Sequence, residues 1–130
     1  YDTVSYFSKE YGNQAADTVF RTRKGVCAGY GNLYKHVCDQ LRMPCQIISG
    51  HSKGYGFDDR EGALEEPDHA WNAVLIFKHW FLIESTWAAG FINDKKEFER
   101  RLEPYYFLPQ PTEMIYHHLP EDDRWQLLQT

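Results

Sequence analysis

Three residues of the sequence, Cys27, His69 and Glu84, have side chains that can together carry out thiol chemistry. Cys27 follows Gly25-Val26 at the start of a segment with helical periodicity. The first N–H groups of a helix lack backbone partners and carry partial positive charge, which favours a thiolate, the nucleophilic form of cysteine. Although most free cysteines are buried structural residues, this position predicts a nucleophile.

The spacing of His69 and Glu84 predicts that their side chains meet. Two strand-like runs joined by a short connection carry these residues, which predicts a hairpin. If the chain turns about residues 77 and 78, Trp71 stands opposite Glu84 and His69 opposite Thr86. Because side chains alternate between the faces of a strand, all four then share one face. His69 and Glu84 would be diagonal neighbours, within reach of long side chains. A carboxylate so placed can orient the imidazole of a Cys-His-acid site.

The elements around these residues follow from periodicity and from helix-breaking residues. A helix is predicted from Cys27 to about Arg42, ended by Pro44. Its buried face is predicted from apolar residues at three- and four-residue steps: Val26, Tyr30, Leu33, Tyr34, Val37 and Leu41.

The rest of the chain gives weaker patterns. A strand is predicted over residues 45–49, and a long glycine-rich loop over residues 50–68. A further helix is predicted over residues 97–102. The proline-containing segment 109–130 is predicted to be extended, with His117 and His118 on the surface.

Composition excludes several classes of function. The 130 residues fit one domain, and the abrupt ends of the sequence predict that it is part of a longer multidomain protein. The net charge is -5 and the sequence has no basic stripe, so a nucleic acid partner is not expected. No apolar run is long enough to span a bilayer, and no membrane association is expected.

The cysteines indicate a reducing compartment, hence a cytoplasmic location. There are three cysteines and no CxxC pair, which argues against a disulfide scaffold. A zinc site built from these thiols is a remote alternative, because their spacing does not suggest one. No acidic cluster has the spacing of an EF-hand loop. We therefore expect no metal and no cofactor.

Several segments resemble a known family. Residues 23–30 (RKGVCAGY) resemble the nucleophile motif of transglutaminase-like domains, residues 69–74 (HAWNAV) are similar to their histidine strand, and residues 82–90 (LIESTWAAG) to their acid strand. Residues 49–56 and 120–128 narrow the resemblance to the kyphoscoliosis-peptidase branch, which includes cytoskeletal proteins. The resemblance covers roughly residues 17–128.

The resemblance implies an α+β fold of papain type, with the nucleophile-bearing helix packed on an antiparallel sheet. It implies that Cys27 attacks a glutamine or peptide carbonyl, that His69 moves the proton, and that Glu84 takes the place of the usual aspartate. Crosslinking, deamidation and proteolysis remain open. The alternative is a catalytically silent domain that binds protein partners in a cytoskeleton-associated scaffold.

Four further residues are candidates for substrate contact. Trp71 and Trp87 follow the histidine and the acid, and either wall the site or pack in the core. His51 and Lys53 lie in the glycine-rich loop, where they either contact substrate or form an exposed loop tip.

Overall fold

Helices come first along the chain and an antiparallel sheet follows. The computed structural model describes residues 1–59 and 66–129. The helices are α1 (Thr3–Ser8), α2 (Ala16–Thr22), α3 (Cys27–Gln40), α4 (Ser85–Ala89) and α5 (Pro111–Met114). The strands are β1 (Cys45–Ser52), β2 (His69–Ile76), β3 (His79–Ile83), β4 (Gly90–Ile92), β5 (Phe98–Arg100) and β6 (His118–Pro120). Two short 3₁₀ helices span Pro104–Tyr106 and Asp123–Gln126.

The main sheet has four antiparallel strands in the order β3-β2-β1-β6. The turn between β2 and β3 is formed by Phe77 and Lys78, which both have positive φ values, 48° and 67°. This is the backbone of the two-residue turns that match the twist of a hairpin. Asn72 pairs with Ile83, which is the register that the hairpin prediction required. The predicted α+β fold, with a helix packed on an antiparallel sheet, is confirmed.

The fully buried positions of α3 are small residues, and of the predicted apolar stripe Tyr34 packs against the core cluster next to the sheet. The buried residues of α3 are Gly29, Gly31 and Cys38, whereas Val37 is 50% exposed and Leu41, just beyond the helix, 65%. The predicted buried face was therefore wrong at Val37 and Leu41. The amide of the fully buried Asn72 donates to the carbonyl of Gly31 at 3.1 Å and to a β1 carbonyl at 3.2 Å. These two bonds link α3 to the sheet, because separating the elements would leave the buried N–H groups of Asn72 without acceptors, which is costly.

Both faces of the sheet are covered. The face toward α3 is closed by a cluster of Cys38, Cys45, Val74 and Ile83. On the opposite face, Ile48, Trp71, Ala73, Leu82 and Met114 form a second cluster, against which Trp80, Trp125 and Leu127 pack. The C-terminal segment is therefore part of the core, and the central strands β1 and β2 are held between two apolar layers.

Two sequence-based expectations outside the main sheet were wrong. The helix predicted over residues 97–102 is instead strand β5, which pairs with β4. The side-chain oxygen of Asn93 accepts from the backbone N–H groups of Lys95 at 2.9 Å and Glu97 at 3.0 Å, and so closes this hairpin. Segment 109–130 contains α5, β6 and a 3₁₀ helix in place of an extended chain. Residues 60–65 of the predicted loop lie outside the described residues.

Candidate active site

Cys27 is the first residue of α3 and lines an open cleft. The preceding residue, Val26, has extended backbone angles, and its N–H donates to Gln14 Oε1 at 3.0 Å. The thiol is partly exposed, whereas the other two cysteines are buried. Of the three thiols, Cys27 is thus the one placed at a helix start and open to a ligand.

His69 and Glu84 are brought together by the β2–β3 hairpin. His69 begins β2, and its Nε2 lies 2.6 Å from Glu84 Oε2. Glu84 is not part of β3, which ends at Ile83; it is the N-cap residue of α4. Its Oε1 accepts from the backbone N–H groups of Thr86 at 3.1 Å and Trp87 at 3.3 Å. The acid therefore has a capping role that the sequence pattern did not indicate.

A second histidine contacts the same carboxylate. His118 Nε2 lies 2.6 Å from Glu84 Oε2, and His118 Nδ1 lies 2.7 Å from His117 Nδ1. Placing His118 on the surface was wrong, because it is 2% exposed. Strand β6 carries it into the molecule by pairing with β1, where His118 stands opposite Ser52. No pattern in the sequence links positions that are 34 residues apart.

Burial and pairing set the charges of this cluster. Burial by itself raises the pKa of Glu84, which is 0% exposed, but His69 and the hydrogen bond from His118 lower that pKa to about 2. Burial likewise opposes charging of His69, yet the Glu84 carboxylate and the hydrogen bond with Cys27 raise the pKa of His69 to about 10. The site therefore holds a carboxylate beside an imidazolium at neutral pH.

The second histidine remains neutral. Burial lowers the pKa of His118, and the neighbouring His69 lowers it further, against the opposing effect of Glu84. Since Nε2 of His69 is committed to Glu84, Nδ1 is the ring nitrogen that remains for the Cys27 thiol. Hydrogen bonds thus connect the His69 imidazole, the Glu84 carboxylate and the His118 imidazole, and Cys27 lines the cleft beside His69.

Within the described ranges, one cluster has the composition of a metal site: His69, Glu84 and His118, with ligand atoms within 4.8 Å of one another. Ligand atoms around tetrahedral zinc lie about 3.3 Å apart, given Zn–N distances of about 2.0–2.1 Å. Glu84 Oε2 is only 2.6 Å from each Nε2, which is a short hydrogen-bond distance and well below the spacing of two metal ligands. The distances in this cluster therefore fit hydrogen bonds between the side chains better than coordination of a metal ion. That the protein requires no metal stays a prediction.

The four candidate contact residues fall into two groups. His51, Lys53 and Trp87 line the cleft together with Cys27. Trp71 does not, because it is 2% exposed and lies in the core beneath His69, with ring centroids 5.9 Å apart. Of the two alternatives for Trp71, the structure therefore has core packing: its ring shares a face of β2 with His69, belongs to the second core cluster and packs edge-on against His118.

Gln14 is a further residue of the cleft that was not predicted from the sequence. Its side chain lies over the first turn of α3 so closely that a Cβ added at Gly29 would be 2.6 Å from Oε1. The Val26 N–H identifies Oε1 as the acceptor, so Nε2 is the donor end of the amide; one of its two N–H groups donates to Gly12 O at 3.3 Å. Gln14 lines the cleft with Cys27. Nothing in the local sequence marks this glutamine.

Many aromatic side chains line the cleft. They come from the N-terminal segment, the glycine-rich loop, α4 and the β4–β5 hairpin, and include Tyr6, Tyr55, Trp87, Phe91 and Phe98. Tyr55 packs edge-on against Phe7 of α1, and Tyr6 donates to the Tyr55 carbonyl at 3.3 Å. These contacts hold α1 at one end of the cleft.

Comparison with known proteins agrees with this architecture. Residues 1–85 match the family model of the transglutaminase-like superfamily. The chain is 33% identical to kyphoscoliosis peptidase of Homo sapiens over 129 residues, which are 98% of this chain and 20% of that protein. It is 36% identical to the Mus musculus kyphoscoliosis peptidase over 111 residues, which are 85% of this chain and 17% of that protein.

A more distant relative is cytokinesis protein 3 of Saccharomyces cerevisiae, 30% identical over 94 residues, which are 68% of this chain and 10% of that protein. The chain spans a fifth or less of the length of these three relatives. Among the described residues, no helix has the length and apolar character needed to cross a membrane. The chain belongs to the transglutaminase-like superfamily, in the branch that includes the kyphoscoliosis peptidases.

Proposed function

We propose that this domain catalyses thiol-dependent acyl transfer or hydrolysis at glutamine or peptide carbonyls of a protein substrate. One observation carries the proposal: His69, which lines the cleft with the partly exposed Cys27, is hydrogen-bonded to the buried carboxylate of Glu84. An imidazolium beside a thiol favours the thiolate, and a buried carboxylate fixes the orientation of the ring.

In the first half-reaction, Cys27 Sγ attacks the carbonyl carbon and forms a tetrahedral intermediate. The C–N bond then breaks, and His69 gives a proton from Nδ1 to the departing nitrogen. Ammonia leaves from a glutamine, or an amine leaves from a peptide bond. The product is a thioester on Cys27 and a neutral His69, still held by Glu84.

The oxyanion of the intermediate needs hydrogen-bond donors. The backbone N–H of Cys27, at the start of α3, is one candidate, because N–H groups in the first turn have no helical partner. The Gln14 side chain is the second, since its oxygen is held by the Val26 N–H and its amide nitrogen has a second N–H besides the one that donates to Gly12. Acyl-transfer sites commonly stabilise the oxyanion with hydrogen-bond donors of this kind, from the backbone and from side-chain amides.

In the second half-reaction, neutral His69 takes a proton from water or from an amine, which attacks the thioester and frees the Cys27 thiolate. Water gives deamidation or proteolysis, and a lysine amine gives a crosslink. The aromatic walls of the cleft support a polypeptide substrate, because such side chains supply large apolar contact area.

The first experiment is alkylation of each cysteine by iodoacetamide between pH 5 and 9, followed by mass spectrometry. Cys27 is expected to be labelled rapidly at neutral pH, and the rate should fall by at least about tenfold in His69→Gln, which removes the imidazolium that favours the thiolate. Slow labelling of wild-type Cys27, unchanged in His69→Gln, would reject the proposal.

Cys38 and Cys45 are poor controls because both are buried. A Thr112→Cys variant supplies a better one, since Thr112 is exposed in the first turn of α5. Its thiol tests whether exposure at a helix start is sufficient for rapid labelling. Equal rates for Cys27 and this introduced cysteine would show that His69 contributes nothing.

The alternative is a silent domain that binds protein partners in a cytoplasmic, cytoskeleton-associated scaffold. The name of the yeast relative, which refers to cytokinesis, favours it, and so does a cleft whose aromatic walls can hold a peptide without reacting with it. The two proposals differ in Cys27→Ala, which removes a nucleophile but leaves the walls intact. Partner binding and function in cells that survive this substitution would favour the scaffold.

A further inference from the structure

We propose that His118 is a positioning residue for the Cys27–His69–Glu84 site: held as the Nε2–H tautomer by His117, it fixes the Glu84 carboxylate against His69. The inference rests on the proposed function and adds a fourth side chain to it. One oxygen, Glu84 Oε2, lies 2.6 Å from Nε2 of His69 and 2.6 Å from Nε2 of His118.

The directions of these hydrogen bonds follow from the chemistry of the groups. An ionised carboxylate only accepts, so both Nε2 atoms must donate to Oε2. With its proton on Nε2, the neutral His118 has an accepting Nδ1. His117 Nδ1, 2.7 Å away, must then be the donor of that pair. His117 therefore selects the tautomer of His118 that can hold the carboxylate.

A glutamate needs this additional support more than an aspartate would. Its longer side chain has one more rotatable bond, and a carboxylate that rotates away would leave His69 without its partner. Here Oε1 is tied to two backbone N–H groups at the start of α4. His118 donates to Oε2, so both carboxylate oxygens are held in place even without the hydrogen bond from His69.

The position of His118 is itself well fixed. Its backbone pairs with Ser52 of β1, and its ring lies between Trp71 and Trp87, with ring centroids 4.9 Å and 4.4 Å away. Its side chain is 1% exposed. Such a side chain can hold another one in place, because the surrounding packing leaves it a single orientation.

Several titratable groups face His118 and determine its charge. Glu84 comes from the start of α4, His69 from β2, Asp68 from the segment just before β2, and His117 from its own segment. Burial and His69 oppose a second positive charge here, whereas Glu84 and Asp68 favour it. A neutral His118 donates to Glu84 without cancelling the negative charge that His69 requires.

The test compares His118→Gln with His118→Leu. Glutamine can place an N–H donor near the position of Nε2, whereas leucine cannot. At neutral pH, His118→Leu is expected to slow Cys27 alkylation by about tenfold, the lower end of the effect of losing a supporting hydrogen bond. The whole pH profile of labelling should also move to more alkaline pH. His118→Gln is expected to keep the wild-type profile. His79→Gln, at an exposed histidine of β3, is the matched control.

A purely structural role gives a different result: loss of thermal stability without a shift of the pH profile in the folded fraction. Wild-type labelling of the folded His118→Leu variant would overturn the proposal, as would equal loss in the Leu and Gln variants. If the Leu variant does not fold, ¹⁵N NMR of the wild-type imidazoles decides. The expected state is His118 with its proton on Nε2 and His69 protonated on both nitrogens; His118 protonated on Nδ1 overturns the proposal. Slow labelling of wild-type Cys27 would instead reject the proposed function.

Discussion

Glu84 has two roles at the residue level, one in the candidate site and one in the fold. It accepts four hydrogen bonds, two from histidines and two from backbone N–H groups, and it is completely buried. Breaking a buried charge pair by removing one partner is strongly destabilising, because the remaining charge loses its compensation.

Glu84→Gln is therefore expected to lower the free energy of unfolding by about 3 kcal/mol and to slow Cys27 alkylation. A glutamine can still cap α4 with its oxygen, but its amide nitrogen would face the N–H groups of the two histidines. Urea denaturation monitored by tryptophan fluorescence measures the change, with the exposed Glu10→Gln as control. A loss of stability below 1 kcal/mol would mean that the network contributes little to folding.

Gln14 allows a prediction that separates stabilisation of the oxyanion from the nucleophilicity of the Cys27 thiol. Alkylation by iodoacetamide forms no oxyanion, whereas acylation does. Gln14→Ala is therefore expected to leave the Cys27 alkylation rate within about threefold of wild type, while acylation by an activated glutamine-like ester falls by about 10²-fold. Pre-steady-state release of the leaving group measures acylation. An unchanged acylation rate would remove Gln14 from the oxyanion site.

At this scale the sequence indicated part of the candidate site. Cys27, His69 and Glu84 were predicted because a helix start and a hairpin register are local properties, and the hairpin brings His69 and Glu84 together as expected. Gln14 and His118 were missed because their contacts depend on tertiary packing: α2 must lie against α3, and β6 must pair with β1. Their roles, like that of the three predicted residues, are proposals.

Among the elements, the β2–β3 hairpin determines the geometry of the site, since its register sets which side chains face each other. Its turn residues, Phe77 and Lys78, both have left-handed backbone angles, and the Phe77 side chain is 93% exposed. Non-glycine residues are strained in this conformation by about 1–2 kcal/mol each. The turn is held in place by the strands and not by its own residue preferences.

Replacing Phe77-Lys78 by Asn-Gly is therefore expected to stabilise the protein by about 1 kcal/mol, because these residues prefer the required backbone angles. Cys27 reactivity should be unchanged, since the register is the same. A thermal melt measures the first effect and alkylation the second. Phe77→Ala is the control for loss of the exposed ring. A decrease in stability would show that the native turn residues make contacts that offset the strain.

Helix α3 shows where local sequence reasoning fails at the level of elements. Apolar periodicity located the helix correctly but selected the wrong face at Val37 and Leu41. Gly31 and Cys38 lie toward the sheet instead, whereas Gly29 lies against Gln14 and Val19. Because Gly31 has no side chain, the Asn72 side chain of β2 reaches the backbone of α3. Large apolar residues would have kept the two elements apart.

For the whole molecule, the site couples stability to pH. His69 has a raised pKa, so its contribution is complete below its ordinary value of 6.5 and is lost as the pH rises toward about 10. Glu84 has a lowered pKa, so its contribution is complete above 4.5 and is lost as the pH falls toward about 2. Burial lowers the pKa of His117 and His118 in the folded protein. Below pH 6.5 these two histidines therefore bind protons more readily in the unfolded chain, which destabilises the fold.

These signs together predict a maximum of stability near pH 6.5, with a decline on both sides. Thermal melts between pH 4 and 9 test it. His69→Gln should be less stable than wild type at pH 6.5. Its stability should not decline between pH 6.5 and 9, because the imidazolium that releases a proton on unfolding in this range is absent. A wild-type decline that persists in His69→Gln would assign the alkaline transition to other groups.

The cap that Glu84 provides for α4 has an evolutionary consequence. A relative that had stopped catalysing would still lose stability on replacing this acid, so selection for folding alone would keep Glu84 and both histidines in place. Retention of the acid and its histidines is then weak support for an active enzyme. The thiol of Cys27, which faces the cleft and not the core, is under less structural constraint. Replacement of this cysteine in a family member would be the clearer sign of a domain that has lost catalytic activity.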